Sequence, residues 1–219
     1  MPISATRKKK NVMARPAGAA GRDHLLEAAS SLLSEQASDI SLSDIAERSG
    51  MNSAMVSYYF GSKQGLLAAL LERDLVTALS QLDRLLASPG TPTQKMERNI
   101  DGLVRLFFRY PYLARLMTDL AHHGEEQTRQ YLADTYLRRI FDAYEVLITE
   151  GVKAGEFVET DPKLFYFGVV GACDLIFSTS FVMKYVHGID RIDEDMRALY
   201  ARQVQSLLLN GLRRRPDAT

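Results

Sequence analysis

The chain has 219 residues, 46% hydrophobic and 25% charged, and its 27 basic and 27 acidic side chains balance to a formal net charge of zero. That length and balance support a sizeable core and exclude a wholly disordered chain. A single cysteine, Cys173, excludes an intrachain disulfide, and the start lacks a secretory apolar run, so the expected location is the cytoplasm.

The charge is unevenly spread. Arg7, Lys8, Lys9, Lys10, Arg15 and Arg22 all precede the first acid, Asp23. A basic stretch bearing glycine, alanine and proline predicts a disordered N-terminal arm over residues 1–21, either a solubilising terminus or a contact to phosphates. Over residues 22–36, Leu25, Leu26, Ala29, Leu32 and Leu33 recur at helical spacing. Ser41 then opens a short helix with Asp44 as its capping-box partner, and Gly50 ends it. Asn52 caps a third helix running to Phe60, and Ser62 caps a long fourth whose leucine stripe runs from Leu66 to Leu82.

Helix signals continue to the end with no strand alternation and no internal repeat. They predict helices over 94–110, from Pro111 to about 122, over 125–154 and over 162–187, with a last one over 193–212. Gly155 closes the third of these, with Phe157 placed for a Schellman contact, and Asp161-Pro162 opens the fourth. The run "LFYFGVVGACDLIFSTSFVM", residues 164–183, has the length of a membrane span but carries Asp174 near its middle. That charge would cost ~3 kcal/mol or more in a bilayer, so a helix buried in protein is expected, with no membrane partner.

The first helix and the two short ones form the layout of a helix-turn-helix, whose second short helix enters the major groove. Its exposed face is expected to carry Ser53, Ala54, Ser57 and Tyr58, with Val56 and Phe60 turned inward. Tyr59 and Lys63, at the start of the fourth helix, read as a phosphate clamp. Against this, residues 23–73 carry three cations, Arg48, Lys63 and Arg73, and seven carboxylates, whereas DNA-binding units are usually basic. The six cations before Asp23 reverse the sign.

The stretch "LSDIAERSGMNSAMVSYYFGSKQGLLAALLERD" closely resembles the TetR-type transcriptional regulators, with its Ile-Ala pair, glycine, seven-residue recognition helix, aromatic pair before phenylalanine, and Ser-Lys before a leucine-rich helix. The match is strong over residues 22–73; "YPYLARLM" and "GVKAGEFVETDPKL" resemble phrases of the family's C-terminal half. The resemblance implies an all-α homodimer of about nine helices, in which residues 22–73 bind DNA and residues 74–219 bind a ligand and dimerise. It implies base reading by Asn52, Ser53, Ala54, Met55 and Ser57, and phosphate contacts from Ser41, Tyr58, Tyr59 and Lys63. Ser53, Met55 and Ser57 stand where the family often has lysine, threonine and tyrosine, so the contacts are less ionic than usual and no operator sequence carries over. Met55 reads as core or, if exposed, as a contact to a thymine methyl.

Other chemistry is disfavoured. His122-His123 beside Glu125 and Glu126 lacks an i,i+4 ligand pair, so no metal is expected. Cys173 reads as a small core hydrophobe. No phosphate loop, nucleophile elbow or paired catalytic carboxylates occur, so neither a catalytic residue nor a cofactor is assigned and an enzyme is not expected. The expected partners are a double-stranded DNA operator, a small-molecule effector and a second copy, docked through 162–187 and 193–212. Gly168, Gly171 and Ser178 form a small-residue stripe there. Met117, Tyr136, Asp174, Phe177 and Ser178 are the candidate effector-pocket residues. Asp174 has a second reading, as a buried pair that fixes helix packing or the dimer seam. The function expected is a repressor released from a palindromic operator by a small molecule. The alternatives are an effector-independent architectural DNA binder and a ligand-binding bundle without DNA function.

Overall fold

The computed structural model describes residues 18–35 and 40–214, so most of the expected basic arm lies outside the described residues. Among these described residues eleven α-helical segments follow one another: α1 (Ala19–Glu35), α2 (Leu42–Ser49), α3 (Ser53–Phe60), α4 (Lys63–Ala87), α5 (Pro92–Arg109), α6 (Leu113–His123), α7 (Glu126–Leu132), α8 (Arg138–Lys153), α9 (Pro162–Ser178), α10 (Ser180–His187) and α11 (Glu194–Leu212). Among the described residues the only β feature is an isolated bridge between Phe157 and Arg213. α1 starts at Ala19, three residues before the predicted start.

Local chemistry sets most of the boundaries. Ser41 accepts the Asp44 N–H at 3.2 Å while Asp44 accepts the Ser41 N–H at 2.8 Å, a complete capping box. Gly50, at φ +64°, reverses the chain after α2. Asn52 accepts the Ala54 N–H, and Ser62 the Gly65 N–H. Gly65 is required by close approach, since a Cβ there would lie 2.0 Å from the Phe60 carbonyl oxygen. At the end of α8 the N–H groups of Gly155 and Glu156 turn back to the carbonyls of Val152 and Gly151, and the Phe157 ring fills the space beside Gly151.

Two predicted helices are interrupted. A π-turn, Ala133–Leu137, separates α7 from α8. It has a visible reason: Tyr131 and Tyr136, five apart, both donate to Glu72 of α4 at 2.8 Å, and five-residue spacing meets on one face in a π-turn rather than an α-turn. The predicted helix 162–187 breaks at Thr179, with a 53° bend between α9 and α10. There the Thr179 hydroxyl donates to the Leu175 carbonyl within the run Ser178-Thr179-Ser180, and such hydroxyls compete with the backbone ladder. Among the described residues no single helix is long and apolar enough to cross a membrane; the bent pair α9–α10 passes by length and composition alone. Val169, Cys173 and Phe177 of α9 are buried in protein.

The core runs unbroken from the N-terminal helices into the bundle. Leu25, Ala29, Ile45, Val56, Leu66 and Leu70 are sealed between α1, α2, α3 and the first half of α4. Beyond them α5 packs against α4, α8, α9 and α11 through fully buried Met96, Ile100 and Val104.

Candidate nucleic-acid interface and effector cavity

Helix α3 is held on α4 by Val56, which leaves Ser53, Ala54, Ser57 and Tyr58 outside, as predicted. Tyr58 is 77% exposed. Met55, Tyr59 and Phe60 are half-buried against the core, so Met55 divides its surface between core and solvent. Two polar residues of the predicted interface also serve the fold. The Asn52 side-chain oxygen is occupied by the Ala54 N–H at 2.9 Å, leaving its amide N–H groups for an acceptor. The Ser41 hydroxyl oxygen accepts the Asp44 N–H, and the same side chain also bonds the Asp44 carboxyl. Bonds from Ser41 hold the Asp44 carboxyl below its ordinary value, and the nearby charge of Lys63 adds to the effect. Ser41, Asp44 and Lys63 therefore meet at one edge of the unit, where the amino end of α4 already favours an anion.

The other two cations of residues 23–73 are internal staples. Arg48 grips Glu35 through two bonds of 2.8 and 2.6 Å, and together with Ser31 it lowers the Glu35 carboxyl to about 2. Arg73 bonds Asp74 at 2.9 Å and Glu27 at 3.3 Å. Arg22, outside that window, lies 5.2 Å from the Phe60 ring centre.

The bundle contains a cavity of about 620 Å³ between α4, α5, α6, α8 and α9. Leu79, Leu82, Leu106 and Met117 give it an apolar wall, and Asn99 with Tyr144 marks its polar end. Of the five sequence-derived pocket residues, only Met117 lines this cavity. Tyr136 is tied to Glu72 instead. Phe177 is buried edge-on between Phe108 and Tyr200, and Ser178 is exposed. Asp174 sits on the same stretch of α9, with its Oδ1 buried and without a hydrogen-bond partner among the described residues. Burial pushes its carboxyl up, against a bond from Ser178. These three lie too far along α9: its cavity-facing part carries Tyr166, Phe167 and Val170. Asn99 was the missed residue, and its signal is a lone amide beside Met96, Ile100 and Leu103 on the apolar face of α5.

Helix α6 connects the cavity to the N-terminal helices. Leu113 and Met117 line the cavity, while Tyr112, capping the same helix, donates to Asp74 of α4 at 2.7 Å and bonds Ser30 of α1 at 2.8 Å. Arg115 donates to the Leu33 carbonyl at 3.3 Å. Toward solvent, α9 exposes Leu164, Leu175 and also Phe167 at the cavity rim, and α11 exposes Leu199 and Leu207. A Cβ added at Gly168 or Gly171 would meet nothing within 4 Å.

His122 and His123 are satisfied within α6 by Thr118 and Asp119, and no cluster able to hold a metal occurs among the described residues. Burial raises the Cys173 thiol to about 12, as suits a core residue.

Two family profiles match the chain: bacterial regulatory proteins of the tetR family over residues 25–70, and the tetracyclin repressor-like C-terminal domain over residues 90–216. The HTH-type transcriptional regulator EthR of Mycolicibacterium smegmatis is 27% identical over 153 residues, which is 69% of this chain and 70% of that regulator. The HTH-type regulator BetI of Escherichia coli is 37% identical over 67 residues, covering 29% of this chain and 34% of BetI. A solved regulator of the TetR/AcrR family from Thermobifida fusca superimposes with a TM-score of 0.62 at 26% identity, covering 88% of this chain and 98% of its own.

Proposed function

The chain belongs to the TetR family of bacterial transcriptional regulators and is a ligand-responsive DNA-binding regulator; from that premise we propose a homodimeric repressor, released from a palindromic operator when a small molecule fills the α4–α9 cavity. Residues 22–73 form the DNA-reading unit and residues 74–219 the effector and dimerisation part. Asn52, Ser53, Ala54, Met55 and Ser57 face the bases, and Ser41, Tyr58, Tyr59 and Lys63 hold the flanking phosphates. The observation that carries the reading is the span of one helix: α4 begins with Lys63 at the phosphate edge and carries Leu79 and Leu82 of its second half in the cavity wall.

The two copies pair through α9, α10 and α11, covering the exposed Leu164, Phe167, Leu175, Leu199 and Leu207. Asp174 belongs to that seam rather than to the cavity. Work in the cytoplasm, where the operator lies, follows from the same role, and no catalytic step is required. Release needs the effector to bind the DNA-free arrangement more tightly, and a ~100-fold release corresponds to ~2.7 kcal/mol of differential affinity.

The test is binding of the full chain to its own upstream DNA at stated salt, followed by titration with extract-derived small molecules. The expected result is a dimer with at least ~1000-fold preference over random DNA, lost on adding an active fraction. A preference of ~10-fold or less would point to an architectural DNA binder and overturn the reading.

A further inference from the structure

This inference rests on the cavity being the effector site and deepens that reading. Asn99 is 8% exposed and Tyr144 1%, and both line the cavity. The Tyr144 hydroxyl donates to Asn99 Oδ1 at 2.7 Å. That bond uses the one phenolic proton and fixes which way the amide faces, leaving both N–H groups of Nδ2 as donors. They have no hydrogen-bond partner among the described residues. Tyr166, which also lines the cavity, stands edge-on to Tyr144 at 5.1 Å, and its hydroxyl likewise makes no hydrogen bond within the described chain. Among the described residues the one buried side-chain atom without a partner is Asp174 Oδ1, so these two donors are accessible and open to an acceptor placed in the cavity.

Two charged residues, Arg98 and Arg105, also line the cavity, and both are engaged with other groups. Arg98 and Arg105 are exposed; Arg98 donates to the carbonyls of Pro89 and Gln94, and Arg105 pairs with Asp101. With both guanidinium groups already engaged, a carboxylate held by Asn99 and Tyr166 would have to draw one from its partners, whereas a neutral carbonyl needs no counter-charge. A cation would meet no carboxylate in the lining. We propose that the effector is an apolar molecule bearing an uncharged carbonyl-type acceptor, which the amide of Asn99 and the hydroxyl of Tyr166 bind at the α5–α8–α9 end of the cavity. Tyr144 is the positioning residue that sets the amide, and the leucine wall takes the apolar body.

Three probes of equal chain length separate the chemistry: undecan-2-one, undecanoate and undecane, each titrated into the full-length dimer by calorimetry at neutral pH. The ketone should bind about 10-fold or more tighter than either other probe. Asn99→Leu should remove that advantage while keeping undecane affinity. Tyr166→Phe, which leaves the Asn99–Tyr144 bond in place, should reduce it by a smaller factor and provides the test if Asn99→Leu does not fold. Tyr144→Phe frees the amide to rotate and should lower ketone affinity without changing that of undecane. Undecanoate binding most tightly, or a ketone advantage unchanged in Asn99→Leu or Tyr166→Phe, would overturn the proposal. Equal binding of ketone and alkane would also overturn it while keeping the cavity as the effector site. Selective ketone binding with no effect on DNA affinity would instead fault the release mechanism and leave the donor pair standing.

Discussion

Helices α3 and α9 both lie at the surface, but they show it different chemistry. α3 presents Ser53, Ala54 and Ser57 with one aromatic, Tyr58, at its edge, a face that base edges and phosphates can approach closely. α9 presents Leu164, Phe167 and Leu175, a face that gains by meeting another apolar face. The contrast continues beneath them. Under α3, Val56, Ile45 and Leu66 fill the interior; under α9 the bundle leaves about 620 Å³ open. A reading surface needs a fixed backbone, whereas a surface that reports a ligand needs room beneath it.

The comparison breaks most sharply at Gly65. Its missing Cβ lets α3 end against α4, and an added methyl would meet backbone oxygen at 2.0 Å. Gly65→Ala should displace α3 and lower operator affinity by roughly 100-fold or more, with dimerisation and ketone binding retained, as gel shift and calorimetry on one sample would show. Gly171 is the counterpart on α9, with open space beyond it. Gly171→Leu should leave the helical content of the chain unchanged but shift sedimentation toward monomer and weaken operator binding about 10-fold. A normal dimer would move the interface off this face.

Between the two regions stands Tyr112. Tyr112→Phe leaves Asp74 buried with Arg73 as its remaining side-chain partner and detaches α6 from Ser30. Loss of a hydrogen bond to a buried charge should cost about 1.5–3 kcal/mol of stability by denaturant titration. It should also weaken the dependence of DNA release on effector, because α6 lines the cavity with Leu113 and Met117. The smallest effect belongs to Glu35, exposed beside Arg48. Its folded value, about 2, lies below its ordinary 4.5, so the stability it contributes is present above 4.5 and is lost as pH falls toward 2. Thermal melts of Glu35→Gln should trail those of the parent chain at neutral pH and converge with them in that acid window.

What was legible in the sequence was local. Ser41 with Asp44, Gly50, Asn52, Ser62, Gly155 with Phe157, and Asp161-Pro162 each set a boundary through neighbours a few residues away. The exposed face of α3 followed from periodicity alone. The π-turn did not, because Tyr131 and Tyr136 are drawn to Glu72 across some sixty residues. Nor did the cavity: an empty space is a property of five helices together, and the leucines of α4 look the same whether they seal a core or line a pocket. Asp174, Phe177 and Ser178 stood out for polarity or size on an apolar helix, yet the part of α9 that meets the cavity is one to three turns earlier. Asn99 was passed over because one amide in an amphipathic helix reads as surface until Tyr144 is found against it.

The most direct test of the account is a salt series on the full-length protein, measuring affinity for its operator and for a scrambled duplex with the parent chain, Lys63→Ala and Ser57→Ala. Lys63→Ala should weaken both duplexes alike and reduce the slope of log affinity against log salt by about 1, as one lost phosphate contact does. Ser57→Ala should narrow the ratio between operator and scrambled DNA and leave the slope unchanged. If Lys63→Ala instead changed that ratio with the slope intact, or Ser57→Ala changed neither, α3 would not be the element that reads the DNA.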